Sequence, residues 1–460
     1  MRLDPGIPAE HKSLHAADPG RLTRPAAGSL GKDIVIVLAI ALAARFFFML
    51  VMPPMARSTD AFNWETVAKV LAAGGNPYQT TTFLNWPPFW LQIIFVLSKI
   101  STALALPFFR VLQVFLILVE SLVIVALIRL LREVAPGMPI RWLVVAGLAL
   151  NPAAILLTCQ HCNFDVLVAL WVTLFTLSLV RYDRSRDYAD WLFACLFLGL
   201  GILTKTVPLI LLPLLAGGFR SAAKNVRFLG LFLVFGPVFL GMSIIYVLVP
   251  ADAASKVLAY RGLGGAFGFP GLLRLAGAGS YIALYNSAFY LLLLAVMAGT
   301  SALIWRRQSI GPRETVLLTA LLLMGIPALG PGYAPQYLYW YLPLLVAVFG
   351  LFDGRLRLGL AGFALIAVAT YLFEYAILES DGDFFLNYLV AKRVDPHQWQ
   401  SFIHKVILCQ TPAGQTLFRL PLFVAYLAVL GVGVSVLFEK LKRNQNQLAG
   451  SEKANTNCSV

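Results

Sequence analysis

The sequence predicts an all-α polytopic membrane protein, for three reasons. First, 59% of the 460 residues are hydrophobic and only 13% are charged, whereas a soluble domain carries about 25% charged residues. Second, the apolar residues gather into repeated runs, each close to the roughly 20 residues that cross a bilayer as a helix. Third, the basic residues cluster between those runs.

The clear candidate spans occur along the whole chain. They lie near residues 34–53, 107–130, 140–158, 164–180, 226–249, 284–305, 314–330, 337–352, 358–377 and 418–438. Two further stretches are ambiguous. Residues 88–106 have the length of a span or of a helix on the membrane surface, and residues 190–217 form a longer run that contains Pro208 and Pro213.

Loop charge decides both ambiguous stretches. Because cytoplasmic loops carry the excess of Lys and Arg, the basic clusters should all lie on one side of the membrane. They do so only if 88–106 lies on the surface and 190–217 crosses twice, as two short helices that meet near Lys205. We therefore predict about 12 transmembrane helices, both termini in the cytoplasm, and interfacial amphipathic helices in the first outer loop.

The formal net charge of +14 indicates contact with anionic membrane lipids. No basic cluster is interleaved with aromatic residues as a nucleic-acid groove requires, so no nucleic-acid partner is expected. The chain divides into an N-terminal tail, residues 1–32, a transmembrane domain, residues 33–438, and a C-terminal tail, residues 439–460. Both tails are polar and are predicted to be disordered and cytoplasmic.

The cysteines give little support for a metal. The five of them are too few and too scattered for a disulfide framework. Cys159 and Cys162 flank His161 but lack the second ligand pair that a zinc site needs. A structural disulfide or two inert thiols remain the alternatives, and we expect neither a metal nor another cofactor.

The first outer segment, residues 58–90, is too polar to cross a bilayer and has a carboxylate, Asp60, near its start. Apolar side chains at helical spacing follow, which predicts an interfacial amphipathic helix over 61–73 that ends at the glycine pair 74–75. These side chains are Trp64, Val67, Val70 and Leu71. Asp60 has two interpretations, an N-cap of this helix or a catalytic base at the membrane surface.

Charged residues also occur within or beside the predicted spans. Arg45 interrupts the first span and Glu120 the second. An intramembrane charge is costly and is usually partnered or functional, so we predict that these two form a structural pair. Arg110 and Lys205 lie at outer ends of spans. Each has two interpretations, an anion contact or a side chain that extends to the membrane surface.

A short polar stretch follows Asn151-Pro152 between two predicted spans. Its hydrogen-bonding side chains suit a sugar or a phosphate at the outer face. They are Gln160, His161, Asn163 and Asp165.

Later outer segments carry further candidate ligand groups. Tyr260 and Arg261 precede a glycine-rich stretch, a pattern typical of a mobile cover with a phosphate-binding guanidinium. Gln336, Tyr337 and Trp340 are typical of an aromatic belt, and they also suit a sugar. Segment 378–417 contains acidic residues and histidines that match no catalytic set.

These features occur in an order that resembles the GT-C glycosyltransferases, integral membrane enzymes that use polyprenyl-phosphate sugars. The motifs are Asp60, Gly75-Asn76-Pro77-Tyr78, Trp86-Pro87-Pro88-Phe89, Asn151-Pro152 to Asp165, Lys205 with Pro208, Tyr260 to Gly268, and Gln336 to Pro343. Their order is most similar to that of the GPI-anchor mannosyltransferase and related bacterial enzymes, and the dolichyl-phosphate-glucose glucosyltransferases are a more distant likeness. Two positions depart from the pattern. Phe62 stands where that mannosyltransferase has the second Asp of an Asp-x-Asp pair, and Ala334-Pro335-Gln336 replaces its His-Glu-Lys.

The resemblance implies a hexosyltransferase that moves mannose or glucose from a polyprenyl-phosphate sugar to a lipid-linked or glycan acceptor, with inversion. The reaction would take place on the outer face of a bacterial inner membrane. Asp60 would be the general base, and Lys205, Arg261 and Arg110 would hold the donor phosphate. The residues expected to contact sugar or acceptor are Tyr78, Trp86, Gln160, His161, Asn163, Asp165, Tyr260, Gln336, Tyr337 and Trp340.

A multi-span lipid or solute transporter is the main alternative. Its ionisable path would consist of Arg45, Glu120 and Glu374. These charges lie in separate predicted spans, and the sequence shows no internal repeat. An inactive scaffold with the same fold is the third possibility.

Overall fold

The computed structural model describes residues 27–51, 58–81, 84–248, 266–307, 310–374 and 411–457, and these are almost entirely helical. The first helices are α1 (Ala27–Val51), α2 (Thr59–Ala72), α3 (Pro77–Thr80), α4 (Phe89–Ala103), α5 (Phe108–Val134), α6 (Ile140–Val144), α7 (Pro152–Leu156), α8 (Asp165–Ser185) and α9 (Tyr188–Thr204). They are followed by α10 (Ala216–Ser221), α11 (Lys224–Leu248), α12 (Gly268–Leu275), α13 (Ile282–Arg307), α14 (Pro312–Leu329), α15 (Leu342–Leu351), α16 (Arg355–Phe373) and α17 (Pro412–Asn457). Wider π-type turns extend α6 through Val145–Ala149 and α7 through Leu157–His161, and 3₁₀ segments occupy Val207–Leu215, Gly279–Tyr281 and Pro335–Trp340.

Eight of the described helices are long and apolar enough to cross a membrane. A ninth crossing is formed if α6 and α7, with their π-type extensions, count as one bent span. Four shorter apolar helices accompany them, namely Phe89–Ala103, Tyr188–Thr204, Val207–Ser221 and Leu342–Leu351. The protein is therefore an all-α polytopic membrane protein, as its composition predicts.

The helices divide into an inner and an outer group. Most of α5, α8 and α14 is buried within the protein. By contrast, α11 and α13 keep large apolar side chains on the outside, including Phe228, Phe239 and Leu291, each about 70% exposed. An exposed apolar surface of this kind suits contact with lipid, because lipid tails are as apolar as the side chains.

The bend between α6 and α7 has a clear cause in Pro152. Proline has no N–H to donate, so the helix loses the hydrogen bond that residue 152 would give to the carbonyl of Leu148. Asn151 restarts the helix by accepting hydrogen bonds from the backbone N–H groups of Ala153 and Ala154. The two segments meet at 50°.

Arg45 of α1 satisfies the carbonyl groups that the bend exposes. Its Nη2 donates to the Leu148 carbonyl at 3.3 Å and its Nη1 to the Ala149 carbonyl at 2.5 Å. The same guanidinium forms two hydrogen bonds with Glu120, from Nε to Oε2 and from Nη2 to Oε1, both at 2.5 Å. Tyr339 also donates to Glu120. The predicted pairing of Arg45 with Glu120 is confirmed, and both side chains are almost fully buried.

Removing one partner of this pair is expected to destabilise the protein strongly. Glu120→Leu leaves the Arg45 guanidinium buried without its counter-charge, which costs about 3–5 kcal/mol. The double variant Arg45→Leu/Glu120→Leu should be more stable than Glu120→Leu. It should remain less stable than wild type, because the carbonyls of Leu148 and Ala149 lose their donor. Thermal unfolding in detergent measures the stability of wild type, of Glu120→Leu and of the double variant.

The matched control is Glu133→Gln on the same helix. Glu133 pairs with Arg181 and Arg184 on a half-exposed surface, where an ion pair contributes only about 0–1 kcal/mol. If Glu120→Leu unfolds at the wild-type temperature, the buried pair does not hold α1 to α5.

The predicted break at Lys205 is present. Helix α9 ends at Thr204, Lys205 is extended with φ −157° and ψ 142°, and the chain continues as the 3₁₀ segment Val207–Leu215. Pro208 and Pro213 explain this segment, because neither can donate the hydrogen bond that an α-helix needs. The break places the lysine ammonium among the polar side chains described below.

Two helices extend beyond the tail boundaries that the sequence suggests. The sequence predicts a disordered C-terminal tail from residue 439, but α17 continues to Asn457. Residues 439–449 contain neither Gly nor Pro, and a helix that already exists extends without a new nucleation cost. At the other end α1 begins at Ala27 rather than near residue 33.

Candidate functional site

Asp60 lies in the first turn of α2 but does not cap it. The N-cap is Ser58, whose Oγ accepts a hydrogen bond from the backbone N–H of Ala61 at 3.2 Å. The N-cap interpretation of Asp60 is therefore wrong. Its carboxylate is available for other contacts.

Helix α2 is fixed by an aromatic cluster under its buried face. Trp64 packs edge-on against Trp86, Trp90 and Phe164, with ring centroids 5.0–5.6 Å apart. Aromatic pairs in this geometry stabilise each other beyond the area that they bury. The cluster joins α2 to α4 and to the residue next to Asp165, and so positions Asp60.

The Asp60 carboxylate is held through one of its two oxygens. Asn163 Nδ2 donates to Oδ2 at 2.8 Å, and His161 Nε2 lies 2.8 Å from the same oxygen. Among the residues that the structure describes, none forms a hydrogen bond with Oδ1, and 23% of the side chain is exposed. Burial acts to raise the pKa of Asp60, but the hydrogen bond and the electrostatic interaction with His161, the hydrogen bond from Asn163 and the charge of Lys205 outweigh it, so the pKa is lowered.

The backbone between α7 and α8 explains why several polar side chains point to one place. The polar stretch that follows Asn151-Pro152 stays helical as far as His161, because the π-type turn continues to that residue. Cys162 then adopts a left-handed conformation with φ 50°, which ends the helix. Asn163 accepts a hydrogen bond from the backbone N–H of Asp165 at 2.9 Å as α8 begins.

The two cysteines of this turn are free thiols. Cys159 and Cys162 are both buried and unbridged, so the inert-thiol alternative describes them. Within the described part of the chain, no group of three or more His, Cys, Asp and Glu side chains is arranged to hold a metal.

His161 is tied to α16 and to the start of α2. Its Nδ1 lies 3.2 Å from the hydroxyl of Tyr371 on α16, and its backbone carbonyl accepts a hydrogen bond from Ser58 Oγ at 2.8 Å. Its ring is almost fully buried. Sequence reasoning missed Tyr371, because a tyrosine near the end of an apolar run looks the same as an ordinary interfacial aromatic residue.

Lys205 forms a second, neighbouring pair with Asp165. Its Nζ donates to Asp165 Oδ1 at 2.8 Å. The ammonium also faces the rings of Phe164, Tyr337 and Trp340, 4.7–5.3 Å from their centroids, a geometry that attracts a cation to the ring face. Asp165 is fully buried, and its Oδ2 has no protein hydrogen-bond partner within the described residues.

Lys205 lies in the wall of a cleft with a volume of about 380 Å³. Trp86, Tyr337 and Trp340 also line it, together with apolar side chains of α13 and of the 3₁₀ segment Val207–Leu215. Two lining residues have a buried polar atom without a hydrogen-bond partner in the described chain, Asn85 Oδ1 and Trp340 Nε1.

The aromatic residues of this wall are not an exposed belt. Tyr337 and Trp340 stack with centroids 4.0 Å apart and are 6% and 1% exposed. The aromatic-belt interpretation of them is therefore wrong, because they are buried beside the lysine. Gln336, next to them, is half-buried and does not line the cleft.

The remaining candidates lie away from this centre or outside the described residues. Arg110 donates to the Met49 carbonyl and to Gln113, and does not line the cleft. Tyr78 is buried, and its hydroxyl donates to the Trp86 carbonyl. Gln160 is buried with an Nε2 that has no partner among the residues described. The segments that contain Tyr260, Arg261 and residues 378–410 lie outside the described chain.

The lowered pKa of Asp60 predicts how stability depends on pH. An unfolded aspartate has a pKa of about 3.9. Since the folded value is lower, the ionised carboxylate stabilises the fold above about pH 4, and this contribution is lost as the pH falls through the folded value. The difference in unfolding temperature between wild type and Asp60→Asn should therefore stay constant from neutral pH down to about pH 5 and shrink below about pH 4. A difference that already disappears at mildly acidic pH would contradict this assignment.

No family model matches the sequence, and no curated protein matches it. The site is thus defined by its own residues. A carboxylate, one oxygen of which has no hydrogen-bond partner within the described residues, is joined through Asn163 and Asp165 to a lysine in a cleft.

Proposed function

We propose that the protein is an integral membrane hexosyltransferase. It moves mannose or glucose from a polyprenyl-phosphate sugar to an acceptor hydroxyl on the non-cytoplasmic face, with inversion. The observation that carries this proposal is the connection between Asp60 and Lys205. A candidate base and a candidate phosphate contact, far apart in sequence, share one hydrogen-bonded network beside a cleft.

The cleft suits the donor. Its volume of about 380 Å³ falls in the range of small-molecule sites, which are mostly apolar with a few placed polar groups. An ammonium has three N–H donors, and one of those of Lys205 binds Asp165. The others donate to no described residue and can hold the phosphate as it leaves, which lowers the barrier by stabilising its developing charge. The unpartnered Asn85 Oδ1 and Trp340 Nε1 can accept from and donate to sugar hydroxyls.

Asp60 suits the acceptor. Its lowered pKa keeps it ionised at neutral pH, so it can take a proton in general base catalysis. The acceptor hydroxyl gives its proton to the carboxylate, and its oxygen forms a bond to the anomeric carbon. The bond from that carbon to the phosphate oxygen breaks, and the phosphate leaves with the electron pair. Attack from the face opposite the phosphate inverts the configuration.

The proposal includes a membrane topology with twelve crossings. If the bent pair α6–α7 and the short helices Tyr188–Thr204, Val207–Ser221 and Leu342–Leu351 each cross the membrane beside the eight long helices, the chain crosses twelve times. Both termini then lie in the cytoplasm and the site on the outer face, in a bacterial inner membrane. The order of motifs that resembles the GT-C enzymes supports this arrangement.

A transporter has less support from the geometry. Its ionisable path would need groups free to change charge, but Arg45 and Glu120 hold each other in a bidentate pair. Glu374 is likewise held by Arg419, from Nε at 2.6 Å and from Nη2 at 3.2 Å. Two ion pairs in different parts of the protein do not form a continuous path for an ion or a solute.

A transfer assay tests the proposal. Membranes that contain the protein are given radiolabelled polyprenyl-phosphate mannose or polyprenyl-phosphate glucose, and labelled products are separated from the donor. We expect label on an acceptor glycolipid or glycan only where the protein is present. If neither donor loses its sugar, while the purified protein in vesicles moves the intact lipid between leaflets, the transporter is correct instead. If neither event occurs, the inactive scaffold is favoured.

A further inference from the structure

We propose that His161 is a positioning residue that decides which oxygen of Asp60 accepts the proton, and that Tyr371 fixes the tautomer which His161 needs to do so. This inference rests on the proposed function. It replaces the sugar contact that the sequence suggests for His161 with a role exerted through Asp60.

The first step is the tautomer. A neutral imidazole carries hydrogen on only one ring nitrogen, and an ionised carboxylate can only accept. Because Nε2 lies 2.8 Å from Asp60 Oδ2, the hydrogen must be on Nε2. Nδ1 is then an acceptor, and the Tyr371 hydroxyl at 3.2 Å donates to it. The hydrogen bond at the far nitrogen thus sets the form of the near one.

The second step concerns the different roles of the two carboxylate oxygens of Asp60. His161 and Asn163 both donate to Oδ2, and no described residue bonds to Oδ1. Two converging donors stop the carboxylate from rotating about its terminal bond, so Oδ1 is the oxygen that faces an incoming hydroxyl. Once Oδ1 has taken the proton, Oδ2 remains a carbonyl oxygen that still accepts both bonds. The network therefore keeps the same hydrogen bonds before and after the transfer.

The third step is how His161 itself is held. Ser58 caps the helix that carries Asp60, and the same hydroxyl donates to the His161 carbonyl. The ring is clamped between Asp60 of α2 and Tyr371 of α16 and is almost fully buried. Both ring nitrogens of His161 have protein partners, so the ring orients the carboxylate from a position fixed on both sides rather than binding a sugar directly.

The kinetics of three variants distinguish a positioning role of His161 from a direct contact with sugar. His161→Leu removes the donor to Oδ2 and should lower kcat about 10–100-fold, less than the roughly 10²–10⁴-fold that the general base itself contributes, with the KM values for donor and acceptor unchanged. His161→Gln offers an amide N–H at a similar distance and should recover part of that loss. Tyr371→Phe should lower kcat several-fold without changing KM. A raised acceptor KM with wild-type kcat in His161→Leu would mean a sugar contact and overturn the proposal, as would wild-type kcat and KM in that variant.

A measurement that needs no activity keeps the inference separate from the proposed function. The chain has five histidines, so ¹⁵N-histidine labelling of the purified protein gives a small set of ring signals, and the one missing in His161→Gln belongs to His161. At about pH 8, where an imidazole is ordinarily neutral, that signal should show the Nε2–H tautomer, and Tyr371→Phe should weaken this preference. An Nδ1–H tautomer in wild type would overturn the inference. If the Nε2–H tautomer is found but no donor is consumed, the proposed function fails and the geometry stands.

Discussion

Asp60→Asn is expected to abolish sugar transfer, with a loss of at least about 10²–10⁴-fold, the usual contribution of a general base. The fold should survive. An asparagine can turn its carbonyl oxygen towards His161 and Asn163 and keep both hydrogen bonds that the carboxylate accepts. Its NH₂ group then takes the place of Oδ1, and an amide nitrogen cannot accept the proton of the acceptor hydroxyl.

The measurement is the initial rate of label transfer at equal amounts of folded protein, judged by a monodisperse elution profile in detergent. Asp353→Asn is the matched control, because that carboxylate is 85% exposed and, in the described part of the chain, pairs with Arg357 alone, one helical turn away. It should transfer at the wild-type rate. Equal rates for Asp60→Asn and wild type would remove Asp60 from the reaction.

Lys205→Met is expected to cause the second large effect, and it should act on stability and on activity together. The substitution leaves the fully buried Asp165 carboxylate without its counter-charge, which costs about 3–5 kcal/mol. It also removes the cation from the cleft wall. Losing one preorganised donor to a developing charge lowers kcat about 10²–10³-fold.

The double variant Lys205→Met/Asp165→Asn separates the two effects. The neutral amide that replaces the Asp165 carboxylate no longer needs a counter-charge, so the unfolding temperature should return most of the way to wild type, while transfer stays at the level of the single variant. Lys69→Met, at a lysine that is 74% exposed on α2, is the control. A double variant that is both stable and active would show that Lys205 only neutralises Asp165.

The sequence predicts the fold class and some single features well, where one residue type has one physical consequence. Apolar runs of span length can only be buried or face lipid, so the helical membrane fold follows from composition. Loop charge requires two crossings over residues 190–217, and Pro208 and Pro213 cannot donate, so the break at Lys205 follows. A buried arginine needs an acidic partner, and Glu120 is available in the next long span. The free-energy cost of an unpaired charge inside the membrane is therefore enough to predict the pair with Arg45.

The contacts of the site are less predictable, because they depend on which helices meet. Asp60 and His161 are separated by 101 positions, and His161 and Tyr371 by 210. Nothing in the local pattern of α16 marks Tyr371, and nothing in α2 distinguishes Asp60 from an N-cap until Ser58 is seen to fill that position. Tyr337 and Trp340 show the same limit, since only packing distinguishes a buried stack from an interfacial pair.

The guanidinium of Arg45 has a consequence for biogenesis. An arginine at the middle of a lone helix in lipid is unfavourable by about 2.5–3.5 kcal/mol even on the mildest scale, yet its carboxylate partner is synthesised 75 residues later and the carbonyls at the bend more than 100 residues later. The first helix can therefore reach its final environment only after α5 through α7 have emerged from the ribosome. We expect α1 to remain beside the insertion machinery until then, so that these helices enter the bilayer as a group.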